Sequence, residues 1–94
     1  MKLHVKFEAG SIKVDEVVSG ADADEVVAAM QQRVAREAGF VVGMAVRAMT
    51  PLGFAREATR RYNEASGDDL PLPQDCAEFV EAGIRKGFAT RLED

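Results

Sequence analysis

Cysteine, histidine and tyrosine each occur once in this sequence, and tryptophan not at all. One cysteine, Cys76, cannot close a disulfide within the chain, which fits a reducing cytoplasm. Its place at the start of a helix would favour a thiolate, but Asp75 and Glu78 oppose that, so Cys76 reads as a small buried hydrophobe. One histidine, His4, excludes a multi-histidine metal centre, and its place on a surface strand suggests no Ser-His-Asp triad. Flanked by Lys2 and Lys6, it lacks an obvious orienting carboxylate and reads as a surface residue.

Long hydrophobic runs are also missing. The longest uncharged stretch near mid-chain, Ala38 to Val46, falls far short of the roughly 20 residues that cross a bilayer. The opening "MKLHVKFEAG" has no apolar core of a signal peptide. Gly39, Gly43, Gly53 and Gly67 stand singly, with no glycine-rich phosphate loop. The acids Asp22, Asp24 and Glu25, and separately Asp68 and Asp69, lack the ligand spacing of a calcium loop. No metal site and no cofactor are expected.

What is present is ordinary globular composition, 47% hydrophobic and 30% charged. Residues 1–94 are read as one small soluble domain. The net charge of −4 argues against a general nucleic-acid binder. The charge is uneven: residues 33–64 carry six arginines against three glutamates, between acidic ends.

Along the chain, Leu3, Val5 and Phe7 alternate with Lys2, His4, Lys6 and Glu8, which predicts a half-buried strand. Ala9-Gly10-Ser11 is the expected turn, with Gly10 free to take positive φ. Ile12, Val14 and Val18 continue the pattern, so residues 2–18 read as a β-hairpin. Asp22 and Glu25 have capping-box spacing, and a helix is expected over 23–38, stopped at Gly39. "FVVGMAVRAM", residues 40–49, could be strand or helix; the balance of residue types favours helix. Thr50-Pro51 opens a helix that ends at Gly67. The prolines of "DDLPLP" force an extended path. Asp75 and Glu78 repeat the capping box for a last helix carrying Cys76, Phe79, Val80, Ile84 and Phe88, stopped at Gly87. The tail after Ala89 is expected to fray. The fold class is α+β: an N-terminal two-stranded hairpin followed by three or four helices.

The hairpin-then-helix order resembles, in topology, the opening of small HicB-type antitoxin domains. The likeness covers under half the chain, and the Pro-Gly-Cys stretch of that family is absent. It implies a nucleic-acid-associated regulator.

Two sets of residues are candidate contacts. In "TPLGFAREATRRY", Arg56, Arg60 and Arg61 lie on one amphipathic helix and offer an anion or partner contact. Glu57 and Glu64 stand within helix-pair reach of Arg61 and Arg60, so a solvated face with local ion pairs is the plainer reading. The second set is Phe40, Val41, Val42, Met44 and Met49, more apolar surface than one small core absorbs. The hairpin also presents unpaired strand edges, blunted only by Lys2, Lys6 and Lys13. Both features point to a homodimer.

No group of titratable side chains converges in sequence, so the function expected is a non-enzymatic cytoplasmic interaction or regulatory protein acting as a homo-oligomer, with another protein as a further partner. The alternative is a nucleic-acid-associated regulator using Arg33, Arg36, Arg47, Arg56, Arg60 and Arg61. A small enzyme of unknown chemistry is a third reading.

Overall fold

The alternating opening forms two antiparallel strands in the computed structural model, which describes residues 1–9 and 12–92. Strand β1, Lys2–Ala9, pairs with β2, Ile12–Ser19, in a register that sets Val5 opposite Glu16 and Phe7 opposite Val14. The expected turn at Gly10 and Ser11, and the expected inward side chain of Ile12, lie outside the described residues. Leu3, Val5, Val14 and Val18 are buried on one face of this sheet. His4, Lys6, Asp15 and Val17 occupy the other face, and the exposure of Val17 marks that face as uncovered.

Four helices follow: α1 Ala23–Glu37, α2 Phe40–Arg47, α3 Pro51–Ser66 and α4 Cys76–Arg85. Each start has a local cause. The Asp22 side chain accepts from Glu25 N at 3.0 Å, and Glu25 Oε1 accepts from Ala21 N at 3.2 Å. Asp75 and Glu78 repeat this at α4. Thr50 Oγ1 accepts from Gly53 N at 2.9 Å, with Pro51 in the first turn, where its missing N–H costs nothing. Gly39 joins α1 to α2 at φ +88, a backbone conformation that a side chain strains.

The fold is α+β, with one addition to the expected architecture. The tail does not fray after Ala89. Ala89–Arg91 forms a third strand, β3, antiparallel to β1, with Val5 opposite Ala89 and Leu3 opposite Arg91. Lys6 N donates to Phe88 O and Leu92 N to Lys2 O at the two ends of this pairing. The sheet order is β2-β1-β3, so β1 is the central strand. Lys2 and Lys6 therefore guard no sheet edge. The β2 edge carries an inward-facing charge instead: Glu16 accepts from Arg33 Nε of α1 at 2.8 Å, and Arg33 also reaches Glu37. Inward charge on an edge strand disfavours pairing with another sheet. Phe88 differs as well: it lies beyond Gly87, outside α4.

Helices α1 and α4 stand against the inner face of the sheet, with α2 packed on α1 and α3 packed on α1 and α4. Helix α1 lies against β2 and touches the other three helices, while α4 packs beside β3. Val26, Val27, Val34 and Ala35 of α1, Phe54 and Ala55 of α3, and Cys76 and Val80 of α4 meet Leu3 and Val5 there. Among the described residues no helix is long and apolar enough to cross a membrane.

Candidate functional site: an apolar groove beside helix α2

Helix α2 is nearly all apolar, yet it buries only Gly43 and Val46. Two features of α1 hold it. A Cβ on Gly43 would stand 2.5 Å from the backbone oxygen of Ala35, so glycine lets the two helix backbones touch. Gln31 of α1, itself buried, donates through Nε2 to Val46 O at 2.7 Å and Met49 O at 2.8 Å. Val46 O, which also accepts from Met49 N at 3.2 Å, and Met49 O lie at and just past the end of α2, where carbonyls run short of helix donors. Gripped on its glycine side, α2 turns its large side chains away from the core. Phe40 is 81% exposed, Val41 77%, Met44 56% and Val42 55%. Met49, just past the helix, is half-buried against the core.

Beside α2 lies a groove of ≈ 650 Å³. Phe7 of β1 lies at its bottom, over the fully buried Leu3 and Val5. One wall comes from Val34 of α1 and from Val42 and Met49; the other comes from Phe54, Ala58 and Tyr62 of α3 and Phe79 of α4. Closed and dry, a hollow of this volume would cost about 16 kcal/mol at the usual ~24 cal/mol per Å³. That equals the whole stability of a typical domain. The groove is instead open along a mouth where Val42, Ala45, Arg61, Ala65 and Lys86 are exposed. Its size and apolar lining match sites that hold apolar groups.

The cations at the mouth are already engaged. Arg61 Nε donates to Glu57 at 2.9 Å. Lys86 Nζ lies 2.7 Å from Asp68, which also accepts from the Tyr62 hydroxyl at 3.1 Å. The lysine, the Asp69 N–H and the tyrosine hold the Asp68 carboxyl below its ordinary value, and Asp68 in turn raises Lys86. Thr59, buried in the wall, donates to Ala55 O of its own helix. Glu8 stands at the mouth with no ion pair among the described residues.

Of the arginines singled out in the sequence, Arg33, Arg56, Arg60 and Arg61 have partners within the chain, while Arg36 and Arg47 have none among the described residues. Arg60 donates to Glu57 and lies 3.7 Å from Glu64. Arg60, then Arg61, holds the Glu57 carboxyl below its ordinary value. Arg56 donates to Pro73 O at 3.1 Å and so anchors the proline segment to α3. His4 does have an orienting carboxylate, contrary to the sequence reading: its Nε2 lies 2.7 Å from Asp15 Oδ1, diagonally across the hairpin, and this contact lowers the Asp15 pKa. Cys76 is buried, and desolvation, followed by a hydrogen bond from its thiol to Asp24, pushes that thiol up to about 11. Among the described residues no three His, Cys, Asp or Glu are placed to hold a metal ion. Gln31, Glu16 and the groove were not legible in the sequence, whereas the apolar surplus of residues 40–49 was, and Phe40, Val41, Val42 and Met44 are exposed.

No known protein family, curated protein or solved structure matches this chain.

Proposed function

We propose that this protein is a non-enzymatic interaction module that works as a homodimer, with the outward side of α2 as its contact. The observation that carries this reading is the exposure of Phe40 and Val41 on a helix whose inner side is fixed by Gly43 and Gln31. Neither side chain can turn inward without breaking that close approach. A two-fold contact removes both from water in both copies at once. The nucleic-acid reading draws less support, because Arg33, Arg56, Arg60 and Arg61 are bonded within the chain and only Arg36 and Arg47 of its six arginines are left without a bond among the described residues. Sedimentation at micromolar concentration is the test. The parent is expected at twice the 10.2 kDa chain mass, and Phe40→Asp with Met44→Asp at the chain mass with an unchanged far-ultraviolet dichroism spectrum. A parent that stays at the chain mass on concentration overturns the reading.

A further inference from the structure

We infer that residues 68–72 are a strap that lifts as one unit, latched by the Asp68–Lys86 ion pair as a gate between the groove and a second hollow. The inference is independent of the dimer contact on α2.

The way the strap is held is the first argument. Over residues 68–74 no backbone group bonds another backbone group among the described residues. Side chains do the holding. Asn63 of α3 accepts from Leu70 N at 3.0 Å and donates to Leu70 O at 2.9 Å. Ser66 accepts from Asp68 N at 3.2 Å, and Glu78 of α4 accepts from Gln74 N at 2.9 Å. A segment tied in this way opens at lower cost than the helices beside it, whose backbone ladders break together.

The ends of the strap are the second. Gly67 leaves α3 at φ +74, a conformation that glycine adopts without strain. Pro73 is buried and its carbonyl accepts from Arg56, so the far end stays down. Between them Leu70 is half-buried and Pro71 and Leu72 are exposed, so lifting uncovers little apolar surface. The ion pair sits at the Gly67 end, with Lys86 Nζ 2.7 Å from Asp68. Both side chains keep contact with water, so salt loosens the latch.

Position is the third. A second hollow of ≈ 420 Å³ lies between the strap and α4, lined by Pro71, Pro73, Ala77 and Arg85. Leu70, Thr59, Phe79 and Ala82 line both this hollow and the groove. Of these four, Leu70 stands on the strap and the others on α3 and α4. Lifting the strap removes Leu70 from the shared wall and joins the two hollows along the seam between α3 and α4.

Lys86→Met tests the latch, because Lys86 pairs with Asp68 and makes no bond to Leu70 or Asn63 among the described residues. In the parent, native-state hydrogen exchange of the Leu70 amide is expected to be much faster than that of interior α3 amides and nearly independent of dilute urea. Lys86→Met is expected to speed it about two- to fivefold, the range for an exposed ion pair. Added salt should speed it in the parent and leave Lys86→Met unchanged. Thr59→Cys supplies a thiol in the shared wall. That thiol is expected to react with an aromatic disulfide reagent far faster than buried Cys76, and faster again when combined with Lys86→Met. A Leu70 amide that follows the α3 amides in urea overturns the strap. A Leu70 amide that Lys86→Met leaves unchanged shows that the Asn63 bonds break alone, and overturns lifting as a unit. A Thr59→Cys thiol whose rate Lys86→Met leaves unchanged overturns the gate.

Discussion

The ring of Tyr62 meets the ring of Phe88 edge to face, with centroids 5.4 Å apart and planes inclined at 77°. This contact joins α3 to the residue that leads into β3. The same tyrosine bonds Asp68, and Asp68 pairs with Lys86 at the end of α4. Two stretches separate in sequence, 62–68 and 86–88, are therefore pinned at one corner of the groove, and the strand that completes the sheet starts from that corner.

The Tyr62–Phe88 contact is expected to couple the two residues energetically. A double-mutant cycle with Tyr62→Leu and Phe88→Leu, followed by urea unfolding, should give an interaction energy of about 0.5–1.5 kcal/mol, the usual range for an aromatic pair. Strictly additive effects would mean that the rings touch without holding β3 in place.

Gln31 fixes α2 from the core side. Replacing it by leucine keeps the volume and removes both donors, leaving the Met49 carbonyl without its side-chain partner. Gln31→Leu is expected to cost about 1–3 kcal/mol, the penalty of an unsatisfied buried polar group. Hydrogen exchange should rise in α2 before it rises in α1. An unchanged unfolding midpoint would show that water replaces the glutamine without loss.

Much of the fold could be read from local chemistry. The two D-x-x-E boxes and Thr50-Pro51 announce helix starts through bonds that close within four residues. The alternation of Leu3, Val5 and Phe7 announces a half-buried strand in the same way. Residues 40–49 were ambiguous because an apolar run suits either element. Their helical state is settled by partners elsewhere: the Ala35 backbone that Gly43 meets and the Gln31 side chain that bonds the end of the helix. Strand β3 was missed for a related reason. Ala89, Thr90 and Arg91 carry no periodic pattern, and they are extended because the open edge of β1 receives them. Nothing local marks Gln31, since its acceptors lie 15 and 18 positions away. The groove is a property of the spacing between elements, which no local pattern encodes.

Arg56 and Arg60 look alike in the sequence, four residues apart on one helix, but only Arg56 leaves its own helix. Arg56→Ala is expected to release the segment around Pro71 and Pro73, read as faster proteolysis and faster amide exchange over residues 68–74. Arg60→Ala loses contacts to Glu57 and Glu64 only, on an exposed helix surface where such pairs contribute little. It is expected to leave that segment as protected as in the parent. Equal effects from the two variants would show that the Arg56 bond to Pro73 does not hold the segment.

Acid should weaken the fold through identifiable carboxylates. Asp68 is held below its ordinary pKa first by Lys86, Glu57 first by Arg60, and Asp15 by His4. A carboxylate with a lowered folded-state pKa binds fewer protons folded than unfolded at intermediate pH. Its contribution is complete above the unfolded value of about 4 and disappears as pH falls through the folded value. The urea midpoint is therefore expected to be flat from about pH 7 to about pH 5 and to drop below about pH 4. Lys86 works in the opposite sense: Asp68 raises its pKa, so its contribution is complete below the ordinary lysine value and is lost as pH rises through the folded one. Asp68→Asn removes both dependences at once. It should start from a lower midpoint at neutral pH, lose less than the parent on acidification, and lose less again at alkaline pH. These groups are exposed, so salt should shrink the differences. If Asp68→Asn and the parent follow parallel curves at both ends of the pH range, the Asp68–Lys86 pair contributes nothing to the fold.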